Sequence, residues 1–68
     1  MDNYILLERI IYEKGIRYSE VYDMAEKYYF IEINSLERKS NIKGTVAILE
    51  AKIGFKKTYE FLDFLIHQ

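Results

Sequence analysis

The sequence predicts an all-α protein with three helices, at about residues 3–14, 19–39 and 42–66. Apolar residues recur at steps of three and four along each segment, which is the spacing of an amphipathic helix. The chain contains no proline, and capping residues or glycines stand near the segment boundaries. We expect the two longer helices to form an antiparallel hairpin within one small domain, residues 1–68.

The first segment, residues 3–14, has a polar and an apolar side. Asp2 or Asn3 can cap its first turn, and Gly15 can end it in the left-handed conformation after Lys14. Its apolar arc consists of Tyr4, Leu6, Leu7, Ile10 and Ile11. This arrangement indicates a helix that is packed along one side.

The second segment, residues 19–39, contains a run of bulky side chains, and Ser19 is its candidate cap. Its main apolar face consists of Tyr18, Tyr22, Ala25, Tyr29, Ile33 and Leu36. Phe30 and Ile31 fall outside that face, so they require a second surface. Glu32 falls within the face, where a carboxylate would require a polar partner.

A strand interpretation of the same run remains open. Tyr, Phe and Ile favour strands, and apolar residues alternate with period two along residues 28–34. Residues 44–50 could pair with them, which would give an α+β fold with a β-hairpin. The intervening loop lacks the Asn-Gly type of turn that most favours a hairpin, which argues against this alternative.

The third segment, residues 42–66, has Asn41 as its cap and Gly54 as the expected position of a bend. Its helical stripe consists of Ile48, Ala51, Phe55, Tyr59, Leu62 and Ile66. A further apolar strip consists of Val46, Leu49, Ile53 and Phe64. The two strips together exceed what one neighbouring helix can cover.

The composition predicts association. Half of the 68 residues are hydrophobic and 16% are aromatic, whereas a chain of this length has a small interior. There is no cysteine to form a disulfide, and His67 is the single histidine. We therefore expect excess apolar surface to be buried in a homodimer or against another protein.

The expected function is that of a non-enzymatic protein–protein interaction module, acting as a small regulator, inhibitor or chaperone-like partner. His67 is the only conventional base for the serine and threonine hydroxyls, and no phosphate-binding glycine loop exists. We expect no catalytic residue, metal or cofactor. The candidate interface consists of Tyr28, Phe30, Ile31, Leu49, Ile53 and Phe64.

The alternative function is that of a small helix-turn-helix-like DNA-binding regulator. The segment 38–57 carries six basic side chains and one acidic side chain, although the net charge of the chain is −1. The candidate contacts to nucleic acid are Arg38, Lys39, Lys43, Lys52, Lys56 and Lys57. The net charge makes nucleic acid the less favoured partner.

The distribution of charges also predicts location. Asp2, Glu8 and Arg9 interrupt any signal-peptide core at the amino end. No uncharged apolar run approaches the roughly 20 residues that span a bilayer. We therefore expect a cytoplasmic protein without a membrane partner.

Overall fold

The computed structural model describes residues 2–68 and contains four α-helices. They are α1 (Asn3–Tyr12), α2 (Tyr18–Tyr29), α3 (Ile42–Ile53) and α4 (Phe55–Ile66). The all-α class is confirmed, but the prediction of three helices at 3–14, 19–39 and 42–66 is wrong. Residues 2–68 contain no strand, so the β-hairpin alternative at 28–34 and 44–50 is also wrong.

The core lies where α1, α3 and α4 pack against one another. Helix α2 covers one side of this core and contacts α3. Each helix contributes side chains, and Ile33 contributes one from the loop that follows α2. The buried hydrophobic residues are Leu6, Leu7, Ile10, Val21, Tyr22, Ala25, Ile33, Val46, Leu49, Phe61, Leu62, Leu65 and Ile66. All four helices therefore depend on a single core.

The predicted helix 19–39 ends at Tyr29 because Phe30 adopts the left-handed conformation, with φ 54° and ψ 45°. The N–H groups of Phe30 and Ile31 both donate to the carbonyl of Glu26, which closes the helix in the manner of a left-handed cap. The chain then turns back, and Ile33 enters the core from the loop. A long antiparallel hairpin of two continuous helices is therefore not formed.

Arg38 holds the loop after α2 in place. Its guanidinium lies 2.9 Å from a carboxylate oxygen of Asp23 and 3.2 Å from one of Glu26, and Nε donates to the carbonyl of Ile33 at 3.1 Å. It also lies 5.3 Å from the centre of the Tyr22 ring, within the range of a cation–π contact. Arg38 therefore ties the loop to two successive turns of α2.

The hydroxyl of Tyr22 anchors the other end of this loop. It donates to the carbonyl of Lys39 at 2.8 Å and accepts from the N–H of the same residue at 3.0 Å. It also lies 2.9 Å from the hydroxyl of Thr45, which donates to the Lys39 carbonyl at 3.1 Å. Since buried polar groups require partners, this small network fixes where the loop enters α3.

Gly54 divides the predicted helix 42–66 into α3 and α4. Its φ of 86° and ψ of 163° lie in a region that essentially only glycine adopts. The sequence predicts a bend there, and the structure shows a complete break. The two helices can therefore pack against each other rather than extend as one rod.

The helix ends agree in part with the sequence. Asp2 caps α1 by accepting from the N–H of Tyr4 at 2.7 Å, and Asn41 caps α3 by accepting from the N–H of Gly44 at 2.7 Å. Gly15 has the predicted left-handed φ, at 70°. The Ser19 cap is wrong, because α2 begins at Tyr18 and Arg17 occupies the cap position.

Candidate partner-binding site

An open aromatic groove lies between the end of α2 and the middle of α4. Its volume is about 300 Å³, and its lining consists of Tyr28, Tyr29, Glu60, Phe61 and Phe64. Tyr28 and Tyr29 are consecutive, so their side chains diverge by about 100° around the helix and flank the groove from α2. Phe61 and Phe64 are three residues apart, which places them on one face of α4.

The rings of the groove meet edge to face. Tyr28 stands at 72° to Phe61, with centroids 6.3 Å apart, and at 84° to Phe64, with centroids 5.7 Å apart. Tyr29 stands at 87° to Phe61, with centroids 5.8 Å apart. This is a favoured geometry for aromatic pairs and holds the walls of the groove in position. Phe61 is buried, whereas Tyr28 and Phe64 remain about half exposed.

Tyr29 and Glu60 determine the polar character of one edge. The Tyr29 hydroxyl donates to the carbonyl of Lys57 at 3.4 Å. Burial raises the pKa of Tyr29, and the negative charge of Glu60 raises it further. Tyr29 is therefore a neutral hydrogen-bonding group near neutral pH, and Glu60 supplies an exposed negative charge beside an otherwise apolar surface.

Phe30 follows Tyr29 and projects into solvent. Its side chain is 95% exposed, and Phe30 is the one non-glycine residue with a positive φ among residues 2–68. Glycine or asparagine is the usual residue at such a helix end because a larger side chain is strained there. Neither the backbone nor the core of the described chain accounts for phenylalanine at this position.

Two more apolar side chains, outside the groove lining, are strongly exposed. Leu36 lies in the turn at Ser35–Glu37 and Phe55 begins α4. Glu37 in that turn forms an ion pair of 3.1 Å with Lys52, close to the junction of α3 and α4. The turn that carries Leu36 is therefore attached to the end of α3, next to the start of α4 at Phe55.

The structure separates the six predicted interface residues into three groups. Tyr28 and Phe64 line the groove, and Phe30 is exposed beside it. Ile31 and Ile53 are half-buried against the core. Leu49 is completely buried in the core, so it is not available at the surface.

Sequence reasoning missed three groove residues, Tyr29, Glu60 and Phe61. The sequence pattern places Tyr29 on the intramolecular face and Phe61 on neither apolar strip. The spacing of three between Phe61 and Phe64 would have suggested their shared face. Their pairing with Tyr28 depends on how α2 crosses α4, for which the sequence carries no local signal.

The six candidate contacts to nucleic acid are also divided. Arg38 and Lys52 are engaged in ion pairs with carboxylates of the same chain, and the Arg38 side chain is 21% exposed. The four remaining side chains are exposed lysines, and they are Lys39, Lys43, Lys56 and Lys57. Two of the six basic side chains of the predicted segment are therefore already engaged within the chain.

Residues 2–68 contain neither a candidate metal-binding cluster nor a helix that could span a membrane. No group of three or more histidine, aspartate or glutamate side chains is placed to hold a metal ion in this part of the chain. No helix in the same residues has the length and apolar character needed to cross a membrane.

Comparison of the chain with protein-family models, with curated proteins and with solved structures gave no match.

Proposed function

We propose that this protein is a non-enzymatic protein–protein interaction module whose aromatic groove and Phe30 together bind an apolar surface of a protein partner. Such a module would act as a regulator, an inhibitor or a chaperone-like partner by contact alone. The observation that supports the proposal most directly is the combination of strain and exposure at Phe30.

The free chain gains little from Phe30. A left-handed backbone is unfavourable for a residue with a side chain by roughly 1–2 kcal/mol. A ring that is 95% exposed contributes almost no burial in return. If a partner covered the ring, burial would contribute about 1.5–3 kcal/mol, which would outweigh the strain. An unexplained backbone outlier is a valid starting point for a functional hypothesis.

The groove supports the same proposal. Tyrosine and phenylalanine are enriched at protein interfaces because they bury much area while few rotatable bonds are immobilised. Here Tyr28 and Phe64 present such area while Phe61 and Tyr29 hold them in place. Nucleic-acid binding through the exposed lysines has no comparable observation in its favour.

Site-specific photocrosslinking tests the proposal. A benzoyl-phenylalanine residue in place of Phe30, or in place of Phe64, should yield a discrete protein adduct in the native host. The matched control is the same replacement of Tyr12, which is also an exposed aromatic at the end of a helix but lies on α1. We expect adducts from positions 30 and 64 and none from position 12.

Two results would contradict the proposal. One is the absence of an adduct at both groove positions. The other is the same set of adducts at position 12, which would indicate unspecific contact of any exposed ring.

A further inference from the structure

We infer that the protein bound at this site is a second copy of the chain, with Phe30 of each copy inserted into the aromatic groove of the other about a twofold axis. This inference rests on the proposed function, because it assigns an occupant to the same groove.

The first argument is that the projecting ring and the groove belong to one surface. Tyr28 and Tyr29 line the groove, and Phe30 is the next residue. In a twofold interface each contact occurs twice with the roles exchanged, so one surface must carry both a projection and its receptor. The groove volume of about 300 Å³ is at the lower end for ligand pockets, which suits a single aromatic side chain.

The second argument is charge. Lys57 and Glu60 are one helical turn apart on α4, and both side chains are exposed. Glu60 lines the groove, and the carbonyl of Lys57 accepts from the hydroxyl of Tyr29, which also lines it. Neither forms an ion pair within residues 2–68. An edge that carries one charge of each sign can be complementary to itself, because a twofold axis that passes midway between the two residues places Lys57 of one copy opposite Glu60 of the other. A partner of a single charge sign would be attracted by one residue and repelled by the other.

The net charge of −1 is compatible with self-association. A chain with a large net charge would repel its own copies, whereas this chain has almost none to overcome. The twofold arrangement therefore joins an apolar contact at Phe30 with two reciprocal ion pairs, and each part can be changed separately.

Charge reversal gives the sharper test of the arrangement. Lys57→Glu and Glu60→Lys should each weaken the purified homodimer by roughly tenfold at low salt, because two attractive exposed pairs become two repulsive pairs. When the two variants are mixed, every such pair is again attractive, so the heterodimer should exceed both homodimers. Labelling one variant with ¹⁵N allows native mass spectrometry to count all three species.

The control is the double variant Lys57→Glu with Glu60→Lys, which should recover the wild-type dimer affinity. Raising the ionic strength should reduce the differences between all these forms, since exposed charges are screened. A statistical mixture of dimers, or a double variant that remains as weak as the single ones, would overturn the proposed pairing.

The apolar contact is tested with Phe30→Glu, measured by light scattering at high micromolar concentration. We expect a monomer with a far-ultraviolet circular dichroism spectrum close to that of the wild type, because the replaced ring is not part of the core. Tyr12→Glu is the matched control and should leave the dimer intact. A wild-type monomer at this concentration, or a Phe30→Glu dimer, would overturn the inference.

The two proposals can fail separately. The wild-type protein could be monomeric and still give an adduct with a different protein at position 30. That result would contradict self-association but agree with the proposed interaction module. The absence of any adduct at positions 30 and 64 would remove both.

Discussion

Along the predicted helix 19–39, the apolar periodicity agrees with a helical backbone only as far as Tyr29, because Phe30 ends the helix. The steps of three and four continue past it to Leu36, yet the chain turns at Phe30 and leaves Leu36 almost fully exposed in a turn. Periodicity reports which side chains could share a helical face. It does not report the left-handed residue that ends the helix, because phenylalanine is not a typical residue there.

Replacing Phe30 separates backbone strain from the ring. Phe30→Gly should raise the free energy of unfolding of the dilute protein by about 0.5–1 kcal/mol, because glycine tolerates a positive φ while the unfolded chain becomes more flexible. Phe30→Ala removes the same ring but retains the strain, so it should change stability by less than about 0.5 kcal/mol. Urea unfolding at low micromolar concentration measures both. Equal effects of the two variants would show that the backbone is not strained.

Two leucines test the assignment of the core. Leu62 is completely buried in α4, so Leu62→Ala should lower the free energy of unfolding by roughly 2–5 kcal/mol. Leu36 is 96% exposed, so Leu36→Ala, the same chemical change, should lower it by less than about 0.5 kcal/mol. Similar losses from both variants in urea unfolding would be incompatible with this core.

At the level of elements, Gly44 has a role that helix propensity does not reveal. Propensity alone treats it as a weak point of α3. In the structure, a Cβ on Gly44 would lie 2.6 Å from the Cβ of Lys39 and 2.9 Å from the Asn41 side-chain oxygen. Gly44 therefore provides the space in which the loop closes onto the first turn of α3.

Gly44→Ala should lower the free energy of unfolding by about 1–3 kcal/mol because of this overlap, although alanine is favoured over glycine in a helix by about 1 kcal/mol. The control is Ala47→Gly, an exposed position on the same helix, where propensity alone should cause a loss of about 1 kcal/mol. Thermal or urea unfolding distinguishes the cases. A stabilised Gly44→Ala variant would mean that Lys39 moves aside freely.

The turn at Ser35–Glu37 is attached to α3 through Glu37, which gives it a dependence on pH. The hydrogen bond from Lys52 and, secondarily, the N–H of Asn34 hold the pKa of Glu37 below its ordinary value. Because the pKa of Glu37 is lower in the folded protein, the unfolded chain binds more protons at pH values between the lowered and the ordinary pKa. The contribution to stability is present above the ordinary pKa and is lost as the pH falls through the lowered one.

Lys52→Met should therefore raise the pKa of Glu37 towards its ordinary value, as measured by carboxyl ¹³C chemical shifts during an acid titration. It should also make stability less sensitive to acid over the same range. Lys56→Met provides the control, because Lys56 forms no ion pair within residues 2–68. An unchanged Glu37 titration in Lys52→Met would show that the ion pair is not formed in solution.

At the level of the whole molecule, the chain buries more of its apolar residues than its composition led us to expect. Its accessible surface is 4378 Å², close to the roughly 4,500 Å² expected for a folded monomer of this mass. Leu49 illustrates the difference, since it was predicted to face a partner and lies in the core. Division of the long helices into shorter ones lets the chain fold back and cover such residues.

Because all four helices share one core, the protein should unfold in a single cooperative transition. Far-ultraviolet circular dichroism follows the helices, and the near-ultraviolet signal follows the packing of the tyrosine rings, four of the seven of which lie on α2. The two urea transitions should coincide for the Phe30→Glu variant, in which association does not intervene. Separate midpoints would indicate that α2 detaches before the rest of the core unfolds.

The sequence by itself determined the helical class, a cap at Asp2 or Asn3, the cap at Asn41, the left-handed turn at Gly15 and the position of Phe30 outside the main apolar face. These features depend on neighbouring residues and on the steps of three and four, which are local. Tertiary structure decided the breaks after Tyr29 and at Gly54, the burial of Ile33 and Leu49, and the pairing of Tyr28 with Phe61 and Phe64. Each of these features depends on contacts between distant segments. A continuous helix would have satisfied the local preferences equally well, but it would have left more apolar surface in water.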